Sequence, residues 1–143
     1  MVDITETALI VLTHGDWGEK LVTGAETIVG KMRNVRSFPF FPEMDFSDYL
    51  ANVNQAVEDC GQKCIILTDL FGSSTSNVAG ILSRNHQCLA FSGLNLLLLI
   101  NAYELRKERN EQIVIDQLLT TAAKDLRCIN REIELAEVKR NKE

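Results

Sequence analysis

ALIVLTHGD, residues 8–16, is the stretch of sequence that decides the fold. Its first five residues form a continuous apolar run, which is typical of a strand buried on both faces of a parallel sheet. A polar turn follows, and apolar residues then recur at helical spacing from Leu21 to Met32. This order predicts a strand, a short turn and a helix, which together make half of a βαβ unit.

The alternation of strand and helix repeats along the rest of the chain. Further strands are predicted at residues 35–40, 64–67 and 87–91, and further helices around residues 50–57, 78–82, 96–106 and 115–129. Pro39 lacks an amide hydrogen, so its part of the second strand should lie at a strand end or a sheet edge. The pattern predicts an α/β fold with a doubly wound, mainly parallel four-stranded sheet flanked by helices.

Length and composition favour a single domain over residues 1–143. A chain of 143 residues with 45% hydrophobic content can supply one core, and no repeat or linker divides it. The highly charged segment 131–143 could continue the last helix, supply an edge strand or fray, and the sequence leaves these alternatives open.

Charge and cysteine content exclude several classes of function. The formal charge of −5 argues against nucleic acid as a partner. Residues 1–7 are acidic and polar where a secretory signal would be basic and then apolar, so we expect a cytoplasmic protein. The cysteines are expected to be reduced and buried rather than to form a metal or redox site. They are Cys60, Cys64, Cys88 and Cys128.

Two residues that can perform chemistry follow predicted strands. His14 comes after the first strand and Asp69 after the third, and the carboxyl ends of parallel strands share one edge of the sheet. Imidazole is a nitrogen nucleophile near neutral pH because its free pKa is about 6.5. A carboxylate on its other nitrogen would fix the tautomer and stabilise the positive charge formed during phosphoryl transfer. The sequence therefore predicts His14 as nucleophile and Asp69 as its support.

An anionic group on His14 would need hydrogen-bond donors. Amides at the start of the helix after Asp69 could supply them, together with nearby hydroxyls. The candidate hydroxyls are those of Thr13, Ser73, Ser74 and Thr75. Residues 69–78 contain neither Lys nor Arg, which argues against a P-loop type of ATP site. No metal or cofactor is predicted.

Two other side chains have simpler explanations. His86 lies in a polar turn with no carboxylate near it in sequence, and we interpret it as a surface residue. Trp17 could be a packing residue of the first helical turn or could shape a docking surface beside His14, and both interpretations stay open.

These motifs in combination resemble the mannose-family IIA domain of the bacterial sugar phosphotransferase system. The matching segments are THG at 13–15, DLFGSS at 69–74, Asn77, and SGLNL at 92–96. The resemblance implies that His14 accepts the phosphoryl group and that Asp69 holds its imidazole. It also implies that Gly72, Ser73 and Ser74 line the phosphoryl site, with Ser74 as the best hydroxyl candidate.

The resemblance further implies a set of partners. Phosphorylated HPr would donate to His14, and His14 would pass the phosphoryl group to the IIB component, while the membrane components IIC and IID handle the sugar. No cofactor is implied. Family members are usually homodimers that exchange an antiparallel edge strand near the C-terminus, and residues 131–138 match that strand poorly. The sequence does not indicate which sugar is transported.

Two departures from the family pattern and two alternatives qualify this interpretation. The family usually has Gly-Gly-Ser/Thr-Pro where this chain has residues 72–75, and a proline where this chain has Leu97. Losing a proline frees an amide and relaxes a loop, so the rigidity of the loop and its fit to partners are in question. The alternatives are a regulatory domain, of the kind found in transcriptional activators or serving dihydroxyacetone kinase, and a noncatalytic α/β interaction module.

Overall fold

A four-stranded, all-parallel sheet forms the centre of the protein, which confirms the predicted fold class. The computed structural model describes residues 6–61 and 63–142. The strands are β1 (Ala8–His14), β2 (Val35–Phe40), β3 (Cys64–Thr68) and β4 (Leu89–Phe91), in the order β2-β1-β3-β4. The direction of winding therefore changes between β1 and β3. Pro39 lies on the edge strand β2, as predicted.

Helices cover both faces of this sheet. They are α1 (Trp17–Val29), α2 (Phe46–Asp59), α3 (Ser74–Asn85), α4 (Leu96–Glu104) and α5 (Glu111–Thr121). A further helix, α6 (Ile129–Asn141), buries none of its residues. Helices α2 and α3 pack on one face, and α1, α4 and α5 pack on the other. Within the described residues no helix is both long and apolar enough to cross a membrane.

The apolar run of β1 supplies both faces of the core. Ile10 and Leu12 point into the layer formed with α2 and α3, whereas Leu9 and Val11 point into the layer formed with α1, α4 and α5. Because side chains alternate along a strand, a continuous apolar run is what a strand covered on both sides requires. This central position of β1 places its last residue at the middle of the sheet edge.

Helix α1 approaches the end of β1 very closely. A Cβ atom at Gly18 would lie 3.0 Å from side-chain atoms of Thr13 and of Val11, so glycine allows the contact. The backbone N–H of Gly18 also donates to the Thr13 hydroxyl at 3.3 Å. The turn that carries His14 is therefore fixed between a buried strand and a closely packed helix.

The C-terminal third differs from the prediction. The expected continuous helix over residues 115–129 is interrupted: α5 ends at Thr121, a 3₁₀ turn covers Ala122–Asp125, and α6 begins at Ile129. Leu126, which we assigned to the apolar side, is 94% exposed because no neighbouring element covers it. Of the segment left open above, residues 131–141 are helical and belong to α6.

Smaller differences concern element ends and the cysteines. Strand β4 is shorter than predicted, and α4 stops at Glu104 before a 3₁₀ turn at Leu105–Lys107. Cys64 and Cys88 are buried and Cys60 is partly buried, but Cys128 is exposed, so the prediction of burial is wrong for Cys128. It precedes α6, which buries none of its residues.

Candidate functional site

His14 and Asp69 meet at the carboxyl edge of the sheet. His14 is the last residue of β1, and Asp69 follows β3, its neighbour in the sheet. The two loops lie on either side of the point where the winding direction changes, and α/β sheets usually bind ligands at such points. The juxtaposition that the sequence predicts is present.

The imidazole of His14 rests against the Asp69 carboxylate through one nitrogen. Nδ1 lies 2.9 Å from Oδ2 and 3.2 Å from Oδ1, and the backbone N–H of His14 donates to Oδ2 at 2.8 Å. The His14 side chain is 46% exposed, whereas that of Asp69 is 9% exposed. With the proton on Nδ1, Nε2 keeps its lone pair on the side of the ring remote from the carboxylate.

The Asp69 carboxylate accepts hydrogen bonds from two further groups. The backbone N–H of Leu70 donates to Oδ1 at 2.9 Å, and the Thr75 hydroxyl donates to the same oxygen at 2.8 Å. Burial raises the pKa of this carboxyl, but the hydrogen bonds from the backbone and ring of His14 and from Thr75 outweigh burial and lower the pKa to about 2. Asp69 is therefore ionised at neutral pH.

Two aromatic residues that the sequence analysis missed support the imidazole. The ring of Phe40 stands edge-on to His14, with centroids 6.0 Å apart, and Tyr49 packs against Phe40 at 4.9 Å. The Tyr49 hydroxyl donates to the Phe38 carbonyl at 2.6 Å, and burial, followed by the charge of Asp69, raises the pKa of Tyr49. Phe40 is paired with His14 in the β1–β2 register, and this pairing is the signal that could have identified it.

The loop after Asp69 brings Gly72, Ser73 and Ser74 to the start of α3. Gly72 has a φ of 85°, a conformation that favours glycine and turns the chain into the helix. The Ser73 hydroxyl donates to the Leu70 carbonyl at 2.5 Å. Ser74 is the first residue of α3, and its hydroxyl has no hydrogen-bond partner among the described residues. The amides at the start of α3 and the Ser74 hydroxyl therefore follow Asp69 closely in the sequence.

Thr13 differs from the expectation. Its side chain is buried, and its hydroxyl donates to the Gly15 carbonyl at 2.8 Å while it accepts from the amide of Gly18. The hydroxyl of Thr13 faces the inside of the turn because Thr13 alternates with His14 along β1. In this structure it shapes the turn that presents His14 and does not face the imidazole.

Exposed apolar residues of the two loops that carry His14 and Asp69 are called the rim here. Leu70 and Phe71 are 65% and 82% exposed, and Trp17 is also exposed. Two surface recesses of the described chain lie elsewhere, and neither is lined by His14 or Asp69. Among the described residues no group of three or more His, Cys, Asp or Glu side chains could hold a metal ion.

The second histidine lies in a different environment. His86 is partly buried at the end of α3, and its Nε2 lies 2.8 Å from the side-chain oxygen of Asn54. It is thus less exposed than a simple surface residue. It also borders one of the recesses, which His14 does not.

The sequence matches the family EIIA-man, described as "PTS system fructose IIA component", over residues 8–119. The matched region runs from β1 to α5 and contains both His14 and Asp69.

Solved structures with the same fold include phosphotransferase proteins. The component EIIA from Streptococcus agalactiae has a TM-score of 0.80 at 24% identity, covering 87% of this chain and 98% of that chain. The mannose/sorbose specific IIA subunit from Enterococcus faecalis has a TM-score of 0.78 at 22% identity, covering 86% and 94%. The PTS IIA protein associated with the fucose utilization operon of Streptococcus pneumoniae has a TM-score of 0.73 at 23% identity, covering 90% and 96%.

Proposed function

This chain belongs to the EIIA-man family of phosphotransferase system (PTS) IIA components, and from that premise we propose that it is a phosphocarrier of carbohydrate uptake. It accepts a phosphoryl group from phosphorylated HPr on His14 and passes it to the IIB component. The membrane components IIC and IID then act on the sugar. We propose that the protein acts in the cytoplasm.

One observation carries the proposal. Nδ1 of His14 lies 2.9 Å from the Asp69 carboxylate, and the imidazole is half-exposed. Nε2 attacks the phosphorus of phosphorylated HPr, and a new P–N bond forms as the P–N bond to the HPr histidine breaks. The ionised carboxylate keeps the proton on Nδ1 and stabilises the positive charge that develops on the ring. In the transfer to IIB, the bond between phosphorus and Nε2 of His14 breaks as a P–N bond to a histidine of IIB forms.

The phosphoryl group on Nε2 needs donors but no cation. We propose that the backbone amides at the start of α3 and the Ser74 hydroxyl bind its oxygens, with Gly72 and Ser73 setting the shape of the loop. Thr13 contributes by holding the turn before α1. Of the predicted residues, Ser74 would thus bind the phosphoryl group, and Thr13, Gly72 and Ser73 would shape the loops around it.

The exposed rim fits a protein donor better than a small molecule. Trp17, Leu70 and Phe71 present apolar surface beside His14, and apolar surface of this kind often marks a docking site for another protein. We propose that HPr and IIB dock there in turn.

The solved structures with this fold include proteins whose names mention mannose, sorbose and fucose, so the fold favours no single sugar.

We also propose a homodimer. Strand β4 has three residues and pairs only with β3 in the four-stranded sheet, so its other edge can accept a strand from a second chain. Residues 131–138 are helical in the single chain, and exchanging them as a strand would require α6 to unwind. Light scattering of the purified protein measures the dimer directly.

Incubation with phosphorylated HPr tests the phosphocarrier function. We expect one phosphate per chain, labile in acid and stable in base, and its loss when IIB is added. The matched control comes from the chain itself, because it has two histidines. His86→Ala should be phosphorylated like the wild type, and His14→Ala should incorporate nothing.

The other outcomes separate the rival functions. Phosphorylation of His14 without transfer to any IIB protein encoded beside the gene would favour a regulatory domain. No phosphorylation of the folded wild-type protein would favour a noncatalytic interaction module.

A further inference from the structure

Thr75 makes a contact that phosphoryl binding does not require. It is the second residue of α3, and its side chain is fully buried. Its hydroxyl donates to Oδ1 of Asp69 at 2.8 Å, and the Ser73 hydroxyl lies 3.1 Å away. The sequence suggested this hydroxyl as a donor to the transferred group, but in the structure it points at the carboxylate that supports His14.

The two oxygens of Asp69 have separate sets of partners. Oδ2 receives the backbone N–H of His14 and makes the shorter contact with its ring, whereas Oδ1 receives the amide of Leu70 and the hydroxyl of Thr75. The Leu70 amide belongs to the residue next to Asp69 and moves with the same loop. Thr75 belongs to a helix packed on the sheet, so its hydroxyl connects the carboxylate to the rigid core.

We propose that Thr75 is a positioning residue, which holds the Asp69 carboxylate in the orientation that keeps the proton on Nδ1 of His14. This inference rests on the proposed function of His14. The family pattern that this sequence resembles usually has proline at this position, and proline carries no hydroxyl.

The hydroxyl can be separated from the volume of the side chain by substitution. Thr75→Val keeps the shape and removes the hydrogen bond, Thr75→Ala removes both without steric strain, and Thr75→Ser keeps the hydroxyl. Thr68→Val is the matched control, because Thr68 is buried directly before Asp69 and its hydroxyl lies 3.5 Å from the Phe91 carbonyl instead.

Two measurements test the inference. The first is the rate of phosphorylation by phosphorylated HPr, for which we expect Thr75→Val and Thr75→Ala to be roughly tenfold slower, because a hydrogen bond to a charged group is lost. Thr75→Ser and Thr68→Val should stay near the wild-type rate. The second is the ¹⁵N NMR spectrum of His14 at about pH 9, where a free imidazole is neutral. The proton should be on Nδ1 in the wild type and shared between both nitrogens in Thr75→Val.

The NMR measurement needs no phosphate, so it distinguishes failure of this inference from failure of the proposed function. A wild-type protein that accepts no phosphate would overturn the proposed function. Folded Thr75→Val or Thr75→Ala with the wild-type rate and the wild-type proton position would overturn the role of Thr75. If Thr75→Val does not fold, Thr75→Ala decides, since it introduces no new atoms.

Discussion

Two contacts of nearly equal length, each between a nitrogen-bearing side chain and a carboxylate, lie at opposite ends of β1. At the carboxyl end, His14 Nδ1 lies 2.9 Å from Asp69, and at the amino end, Arg106 lies 2.8 Å from Glu6. The Arg106 side chain is 3% exposed, against 46% for His14. Contact distance alone does not distinguish the two pairs, but the exposure of the side chain that carries the nitrogen does.

The surroundings of Arg106 explain the difference. Its guanidinium also donates to the carbonyls of Thr7, Arg33 and Tyr103, and it lies over the Tyr103 ring at 3.8 Å. Its charge is permanent and enclosed, and it connects the segment after α4 to the start of β1. The His14 pair instead engages one ring nitrogen, Nδ1, and leaves the imidazole half-exposed. We infer that the amino end serves stability and the carboxyl end serves chemistry.

Of the substitutions that test this comparison, the one at Asp69 is expected to have the largest effect, on the rate of phosphoryl transfer. In Asp69→Asn the carboxamide no longer favours a proton on Nδ1, and phosphoryl transfer from phosphorylated HPr should be about 10³-fold slower while the protein stays folded. Rapid-quench kinetics with circular dichroism of the same sample measures both quantities. Wild-type transfer rates in this variant would remove Asp69 from the mechanism.

The next effect concerns the amino end. Arg106→Met leaves Glu6 without its cation and removes one donor each from the carbonyls of Thr7, Arg33 and Tyr103, so the free energy of unfolding should fall by about 3 kcal/mol. The phosphorylation rate of the remaining folded protein should not change. Urea denaturation and the HPr assay measure the two effects. A slower transfer at unchanged stability would contradict the division between the two ends.

The pH dependence of stability gives a smaller effect. The folded pKa of Asp69, about 2, lies below its ordinary 3.8, so its contribution to stability is present above pH 3.8 and is lost as the pH falls towards 2. The difference in unfolding free energy between the wild type and Asp69→Asn should therefore shrink by roughly 2 kcal/mol over this range. A difference that stays constant from pH 5 to pH 2 would show that the carboxylate is not held in its ionised form.

The smallest effect is expected at the rim. Phe71→Ser removes an exposed apolar side chain beside His14, and KM for phosphorylated HPr should rise by about tenfold or less while kcat stays the same. Leu126→Ser, at an even more exposed position between α5 and α6, should leave KM unchanged. Equal values for both variants would place the docking surface elsewhere.

The fold and the central contact could be predicted because they depend on patterns in the sequence. The apolar run of β1 indicates a strand buried on both faces, and parallel strands place the residues that follow them at one edge. These two rules bring His14 and Asp69 together without a structure. They act on the backbone and are insensitive to side-chain rotamers.

The remaining features depend on side-chain direction or on tertiary packing. Thr75 contacts Asp69 because of its side-chain rotamer, and Phe40 contacts His14 because of the pairing register of β1 and β2. Residue types alone do not reveal a rotamer or a register. The break between α5 and α6 was missed because Leu126 and Ile129 continue a helical pattern, although no element covers them. Periodicity shows which side of a helix is apolar but not whether a partner surface exists.

The central claim is that Nε2 of His14 carries the phosphoryl group while Nδ1 stays hydrogen-bonded to Asp69. NMR of the ¹⁵N-labelled protein after phosphorylation by HPr tests it directly, through the coupling of ³¹P to an imidazole nitrogen. We predict one phosphorus signal coupled to Nε2 of His14 and a proton retained on Nδ1. Coupling to Nδ1, to His86 or to no histidine would contradict the claim.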